Sequence, residues 1–279
     1  MIKLDKLVFQ YPNSIPVLNE LSLEIKKGEF VALIGQNGAG KTTLLKQLNG
    51  LLKPSSGDVW INGVNTKDTN TGNLARTVGY LFQNPDHQIF MPTVEKEIGF
   101  GPSNLGLAKE EVKQRVIEAA AQVGLMRYLA GNPLFLSKGQ RQRVAFASLL
   151  SMRPEVMVLD EPTTGQDYQE GIEIMEMVKK LHQQGHTIIF VTHDMELVAG
   201  YANRVIVLSQ GKILIDDTCR NVFYQPGLLK ETNLFPPQIA RLVQKFDSQQ
   251  ACFEQAISVT EMAAQVLRMS ESETNVRCS

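Results

Sequence analysis

Residues 35–43 constrain the fold of this chain more than any other stretch, because they have the composition of a phosphate-binding loop. An apolar run of strand type, residues 30–34, precedes the loop. Three leucines follow it at helical spacing until Gly50 ends the helix. The sequence therefore predicts a strand that leads through the loop into a helix.

The residue types of this loop suit a nucleotide phosphate. Its glycines allow successive backbone N–H groups to point at an anion, and the helix N-terminus adds partial positive charge. Lys41 supplies a full charge for the β and γ phosphates, and the Thr42 hydroxyl is placed to ligate Mg²⁺. The predicted nucleotide-binding residues of the loop are Gly35, Gln36, Asn37, Gly38, Ala39, Gly40, Lys41, Thr42 and Thr43.

Composition limits the partners and the compartment. The 279 residues include 28 Lys and Arg against 29 Asp and Glu, and no basic run is long enough for a nucleic-acid arm, so nucleic acid is not implied. Cys219, Cys252 and Cys278 are odd in number and widely spaced, which fits a reducing compartment and no metal cluster. With no signal peptide and no apolar run of membrane-spanning length, we expect a soluble, cytoplasmic chain.

An antiparallel sheet is predicted near the start of the chain. Residues 2–9 and 21–25 alternate apolar and polar side chains around a turn at residues 12–14. Tyr11 lies at the edge of that turn. From this residue alone, a ring that stacks on an adenine base and an ordinary rim aromatic are equally good interpretations.

Three later strands end in residues suited to phosphate chemistry. Residues 77–82 end at Gln83, residues 156–159 end at Asp160 and Glu161, and residues 187–192 are followed by His193. In an open parallel sheet, ligands bind outside the carboxyl ends of the strands. We therefore expect these side chains to lie beside the phosphate-binding loop.

Each of these residues has a predicted role and a plainer alternative. Asp160 would hold Mg²⁺ through water, and Glu161 would polarise the attacking water as general base. Gln83 would reach the Mg²⁺ or the water, and His193 would bond the γ-phosphate. The alternatives are a solvated amide for Gln83, a structural histidine for His193, and two solvated acids, which the apolar flanks and Pro162 disfavour.

Residues 110–123 and 141–150 have helical periodicity, and they predict a helical insert between strands of the sheet over about residues 88–153. Within the insert, residues 136–140 have the sequence Leu-Ser-Lys-Gly-Gln just before a helix. Serine and glycine there form an anion-ready helix N-terminus, although the segment alone indicates no more than a well-capped helix.

Taken together, these motifs resemble those of ABC transporter ATP-binding subunits over residues 1 to about 222. The motifs that carry the resemblance are Tyr11, the phosphate-binding loop, Gln83, residues 136–140 as the family signature, Asp160 with Glu161, residues 165–167 as the dimer-contact loop, and His193. The resemblance implies an α/β P-loop NTPase of ABC type, with a mixed sheet core, an antiparallel β subdomain and an inserted α-helical subdomain. It also implies ATP and Mg²⁺ as cofactors.

The resemblance further implies how the subunit works. Two subunits would pack head to tail as a homo- or heterodimer, so that each ATP lies between one phosphate-binding loop and the partner's signature. Ser137, Gly139 and Gln140 are then expected at the nucleotide of the other subunit. Hydrolysis would reopen the dimer.

The sequence after Gln83 resembles the energy-coupling factor branch, whose ATPases power importers of vitamins and transition metals, including cobalt and nickel. Residues 83–90, 92–95 and 100–102 carry that resemblance. It implies a transmembrane scaffold protein and a substrate-binding membrane component as partners, and a peripheral position on the cytoplasmic face of the cell membrane. The alternatives are a conventional ABC importer, an ABC ATPase acting on nucleic acid or ribosomes, and a regulatory ATP-binding module without turnover. The absence of a second ATPase unit and of a long insertion disfavours an ATPase acting on nucleic acid or ribosomes. The presence of both Glu161 and His193 disfavours a module without turnover.

Two positions depart from the common family pattern, which has glycine at Lys138 and leucine at Gln166. Lys138 is expected either beside the partner's ATP phosphates or in solvent. Residues 223–279 are predicted to form a C-terminal extension that steadies the dimer, with helical segments within residues 228–245 and at 259–269 and a disordered end at 270–279.

Overall fold

The computed structural model describes residues 1–247 and 254–277. The strands of this part of the chain are β1 (Ile2–Gln10), β2 (Pro16–Ile25), β3 (Phe30–Gly35), β4 (Ser56–Ile61), β5 (Val64–Asn65), β6 (Val78–Leu81), β7 (Val156–Asp160), β8 (Thr187–Val191), β9 (Arg204–Ser209) and β10 (Lys212–Thr218). Its α-helices are α1 (Lys41–Leu48), α2 (Thr71–Leu74), α3 (Val94–Asn104), α4 (Lys109–Gln122), α5 (Lys138–Met152), α6 (Tyr168–Gln183), α7 (Met195–Tyr201), α8 (Cys219–Phe223), α9 (Pro226–Glu231), α10 (Gln238–Asp247) and α11 (Val259–Arg277).

The central sheet has six strands in the order β10-β9-β3-β8-β7-β6. Its strands are parallel except β10, which pairs antiparallel with β9 at the edge. Every residue of β3, β7 and β8 is buried, because helices or the second sheet cover both faces. The carboxyl ends of β3, β6, β7 and β8 thus lie along one edge.

The second sheet is antiparallel, with strand order β2-β1-β4-β5. Its apolar side chains pack with α1 against one face of the central sheet. Strand β2 starts at Pro16, earlier than the predicted residue 21, and buried Leu18 pairs with Phe9 of β1 in this added part. The two sheets confirm the predicted mixed core and antiparallel β subdomain.

Between β6 and β7 the chain is helical rather than extended. Helices α3, α4 and α5 pack on one another, and apolar residues of all three belong to the core on the other face of the central sheet. Ser137 caps α5: its hydroxyl accepts from the N–H of Gln140, while the Gln140 side chain accepts from the N–H of Ser137. This reciprocal cap fixes the signature segment at the start of α5.

The C-terminal extension contributes apolar side chains to the same core through Leu229, Ala240 and Ile257. Helix α11 continues to Arg277, whereas the sequence predicts a helix to residue 269 and then a disordered end. Cys219 is buried with a free thiol, whereas Cys252, Cys278 and Ser279 lie outside the described residues. Among residues 1–247 and 254–277, no helix has the length and apolarity needed to cross a bilayer, and no three His, Cys, Asp or Glu side chains form a metal cluster.

Candidate nucleotide site

A cavity of about 620 Å³ opens at the carboxyl edge of the central sheet. The chain segments that line it are far apart in sequence, as expected where parallel strands end together. Its lining residues are Val17, Asn37, Gly38, Gly40, Lys41, Thr42, Thr43, Gln83, Asp160, Glu161, Val191 and His193. The structure thus brings the phosphate-binding loop together with every residue predicted to be catalytic or to ligate Mg²⁺.

The phosphate-binding loop requires glycine where it enters α1. Gly40 caps the helix with a φ of +101°, a left-handed conformation that strains residues with side chains. A Cβ atom at this position would also lie 2.8 Å from the Leu18 Cδ2 atom. The helix N-terminus therefore faces the cavity with its backbone N–H groups close to the surface.

Lys41 brings a positive charge into this cavity. Its ammonium donates to the carbonyl oxygens of Gly35 at 2.8 Å and Gln36 at 2.9 Å. Burial lowers the pKa of Lys41, and the charges of Glu161 and Asp160 oppose that shift. An ammonium has three donors, so this arrangement leaves one for a phosphate oxygen.

Asp160 ends β7 in a buried position. The Tyr80 hydroxyl on the neighbouring strand β6 donates to its Oδ2 atom at 3.0 Å, and the Thr42 hydroxyl lies beside the same carboxylate. Burial raises the pKa of Asp160, while the hydroxyls of Tyr80 and Thr42 act in the opposite direction. A buried carboxylate next to a loop threonine is a suitable oxygen pair for a hard divalent cation.

Glu161 follows Asp160 but leaves the ladder, with a φ of +51°. Its Oε2 atom accepts from Gln83 Nε2 at 3.1 Å and from the Thr164 hydroxyl at 2.9 Å. Its Oε1 atom lies 2.9 Å from Nε2 of His193, at the end of β8. Three side chains from three segments thus orient one carboxylate, as is typical of a positioned base.

Tyr11 lies at the rim rather than in the core. Its hydroxyl is 3.2 Å from the Thr43 hydroxyl, and its ring meets Phe9 edge-on with centroids 4.9 Å apart. The side chain remains 39% exposed. The ring is therefore held beside the phosphate-binding loop with area left for a planar ligand.

The signature residues do not line this cavity. Ser137 and Gln140 are joined in the cap of α5, and the Gln140 amide also donates to the Tyr128 hydroxyl at 2.9 Å. Gly139 is buried against the side chain of Gln166. Ser137 is exposed, which leaves it accessible to a second molecule.

Two contacts of the site escaped the sequence analysis, those of Tyr80 and Thr164. The Tyr80 hydroxyl is a polar group within the otherwise apolar β6, and that feature was the available signal. Thr164 lies three residues after Glu161 in a tight turn. The backbone of this turn brings the two side chains together, so sequence periodicity gives no sign of the contact.

Comparison with known proteins identifies relatives of this chain. A model of the ABC transporter family matches residues 18–164. The chain is 45% identical over 246 residues to the energy-coupling factor transporter ATP-binding protein EcfA of Methanocaldococcus jannaschii, with 88% of each chain covered. It is 48% identical over 252 residues to a putative ABC transporter ATP-binding protein of Caldanaerobacter subterraneus, with 90% of this chain covered but only 44% of that longer relative.

A solved structure has the same architecture. The structure of cbiO1 from Clostridium perfringens, described as part of the ABC transporter complex cbiONQ, aligns with a TM-score of 0.73 at 34% identity. The alignment covers 87% of this chain and 98% of that one.

Proposed function

This chain belongs to the ABC transporter family, and we propose that it is the ATP-hydrolysing subunit of an energy-coupling factor membrane transporter that takes up a vitamin or a transition-metal ion. The observation that carries the catalytic part is the Glu161 carboxylate, held by Gln83, Thr164 and His193 at the mouth of the phosphate-binding loop. The similarity to an energy-coupling factor ATP-binding protein over 88% of both chains supports the transport part.

ATP and Mg²⁺ fit the residues present. The α1 N-terminus and Lys41 suit the β and γ phosphates, and the Tyr11 ring is positioned for the base. Thr42, Asp160 and Gln83 would hold Mg²⁺, since all three line the cavity and offer oxygen atoms. Bound there, the ion would neutralise charge on the phosphate oxygens.

In the proposed reaction, a water oxygen attacks the γ-phosphorus and its proton passes to the Glu161 carboxylate as ADP leaves. Gln83 and Thr164 hold this carboxylate from one side, so its Oε1 atom and His193 face the reacting group. Lys41 and His193 would stabilise negative charge on the transferred phosphoryl group.

The site needs a second ATPase subunit to be complete. Ser137 and Gly139 do not line the cavity of their own chain, yet the start of α5 is built to receive an anion. A head-to-tail dimer would bring this helix N-terminus to the γ-phosphate of the partner. ATP would then hold the two subunits together, and its cleavage would release them.

The proposed contact with the membrane scaffold is an apolar cleft of about 350 Å³ next to Gln83. Phe90 and Phe100 line it, with rings edge-on at 4.8 Å between centroids, and Phe90 is 63% exposed. The cleft lies between β6 and α3, adjoining the segment that resembles the energy-coupling branch. A helix of the scaffold protein would bind here and place the ATPase on the cytoplasmic face of the membrane.

The test is purification of the tagged full chain from its native membranes in mild detergent, followed by mass spectrometry. We expect a transmembrane scaffold protein and a small substrate-binding membrane protein, with or without a second ATPase. Phe90→Asp should lose these partners but keep ATP binding, whereas Val64→Ser, at an exposed apolar position on the other sheet, should keep both. Recovery of a permease pair with an external binding protein would indicate a conventional importer, and ribosomes or DNA would refute transport.

A further inference from the structure

The Tyr80 hydroxyl joins the edge strand β6 to the acid that ends β7. It donates to the Oδ2 atom of Asp160 at 3.0 Å, and Asp160 is buried, with 3% of its surface exposed. A phenol is protonated at neutral pH, so this hydroxyl is a donor to the ionised carboxylate. One of the two carboxylate oxygens of Asp160 is therefore engaged by a group of the protein itself.

The position of this hydroxyl is fixed by the strand and by the packing of the ring. Tyr80 lies opposite Val158 of β7, two residues before Asp160, and two residues span about 7 Å along a strand. A phenol reaches that far, whereas the hydroxyl of a serine or threonine does not. The Tyr80 ring meets Phe82 edge-on with centroids 4.7 Å apart, and it lines the apolar cleft next to Gln83. The donor is thus held in place by contacts outside the nucleotide cavity.

The engaged oxygen matters for the metal that Asp160 would help to hold. Mg²⁺ is small and octahedral and keeps several waters, so one carboxylate oxygen is enough, either directly or through one of those waters. Ca²⁺ is larger, takes about six to eight oxygens, and accepts carboxylates that offer both oxygens at once. A carboxylate with one oxygen bonded to a phenol is therefore better suited to Mg²⁺ than to Ca²⁺.

We propose that Tyr80 determines the metal specificity of the nucleotide site: by engaging Oδ2 of Asp160, it leaves one oxygen for the ion and favours Mg²⁺ over Ca²⁺. This inference rests on the proposed function, because the ion would enter with ATP. Tyr80 does not line the nucleotide cavity and acts only through Asp160, so it is a positioning residue.

The test measures binding of a non-hydrolysable ATP analogue to the purified full chain by calorimetry, so that turnover plays no part. The titration is repeated over a series of free Mg²⁺ and free Ca²⁺ concentrations, and each cation gives a half-saturating concentration. Binding of either cation to the analogue in solution is the same for every variant, so it cancels when variants are compared. We expect the unmodified chain to require less Mg²⁺ than Ca²⁺.

Tyr80→Phe keeps the ring and removes the hydroxyl. Mg²⁺ binding should weaken because the carboxylate loses the donor that orients it, whereas Ca²⁺ binding should hold or strengthen because the second oxygen becomes free. The ratio of the two half-saturating concentrations should shift toward Ca²⁺ by about fivefold or more, as expected for a lost hydrogen bond to a charged group. Tyr80→Leu, which also lacks the hydroxyl, should shift the ratio in the same direction.

Tyr201→Phe is the matched control. The Tyr201 hydroxyl donates to Oε1 of Glu176 at 2.9 Å, a bond of the same kind between α7 and α6, and its loss should leave the metal ratio unchanged. A cooperative thermal melt in EDTA shows that each variant is folded. A lower Tm does not alter the ratio, because both cations are measured on the same protein.

Three results would refute this role of Tyr80: an unchanged ratio in Tyr80→Phe, an equal weakening of both cations, or an equal shift in Tyr201→Phe. Equal half-saturating concentrations of Mg²⁺ and Ca²⁺ for the unmodified chain would refute it as well. All of these outcomes leave the proposed function intact. If the unmodified chain binds the analogue with neither cation, the proposed function fails, and the inference fails with it.

Discussion

Replacing Glu161 by glutamine should abolish turnover while leaving ATP binding intact. The carboxylate accepts from Gln83 and Thr164 through one oxygen and meets His193 through the other. A glutamine amide can place its oxygen toward the first two and its NH₂ toward Nε2 of His193 in the tautomer in which that nitrogen accepts, so the local geometry is retained. What the amide lacks is the ability to take a proton from water.

The size of the effect follows from that single loss. A positioned general base contributes about 10²–10⁴-fold to a rate, or about 3–5 kcal/mol in the barrier. We therefore expect phosphate release to fall at least about a hundredfold, with ATP affinity changed by less than about threefold. The variant should also accumulate as an ATP-bound dimer, because the step that separates the subunits is blocked.

The assay combines phosphate release in a single turnover with size-exclusion chromatography in ATP and Mg²⁺. Glu110→Gln, an exposed acid at the start of α4, is the matched control and should hydrolyse ATP normally. Turnover within about threefold of the unmodified chain would remove Glu161 from the role of base. An equal loss of ATP binding would show that the substitution acts on the site as a whole.

Three further changes test other parts of the site. Asp160→Asn should raise the Tm of the nucleotide-free chain at pH 7, because burial raises the pKa of Asp160 and its ionised form costs stability above that pKa. The difference in Tm between this variant and the unmodified chain should shrink as the pH falls through the raised pKa of Asp160. The variant should also lose stabilisation by Mg²⁺ with ATP at every pH. Thermal melts measured across pH check both expectations. Tyr11→Ala should weaken ATP binding by about 1 kcal/mol or more, whereas Tyr11→Phe, which keeps the ring, should not; calorimetry with ATP measures this. Gly40→Ala should abolish nucleotide binding without unfolding the chain, since its strain falls on the φ of +101° at the α1 cap; equilibrium dialysis with ATP and a circular dichroism melt separate the two effects.

The sequence predicts the parts of this site that depend on local patterns. The phosphate-binding loop, the acids at the end of β7 and the histidine after β8 each follow a buried apolar run, and the rule for parallel sheets places such positions at one edge. The roles assigned to these residues stay predictions, whereas the fold class and the family are confirmed.

Contacts between segments far apart in sequence could not be predicted from local patterns. Lys138 and Gly165 are 27 positions apart, and no periodicity relates them, so their packing emerges only when α5 and the loop before α6 come together. Tyr80 is similar, because its hydroxyl reaches Asp160 across neighbouring strands β6 and β7. The helix to Arg277 was missed because a polar segment carries no apolar stripe to indicate it.

The most direct test of the central claim is ATP-driven uptake by the purified complex in proteoliposomes, with ATP on the side that carries this chain. The substrate would be the vitamin or metal ion that co-purifies with the membrane component. The account predicts uptake that requires ATP and Mg²⁺ and is lost together with hydrolysis in Glu161→Gln. Uptake that continues at the unmodified rate in that variant, or hydrolysis with no uptake in the unmodified complex, would contradict it.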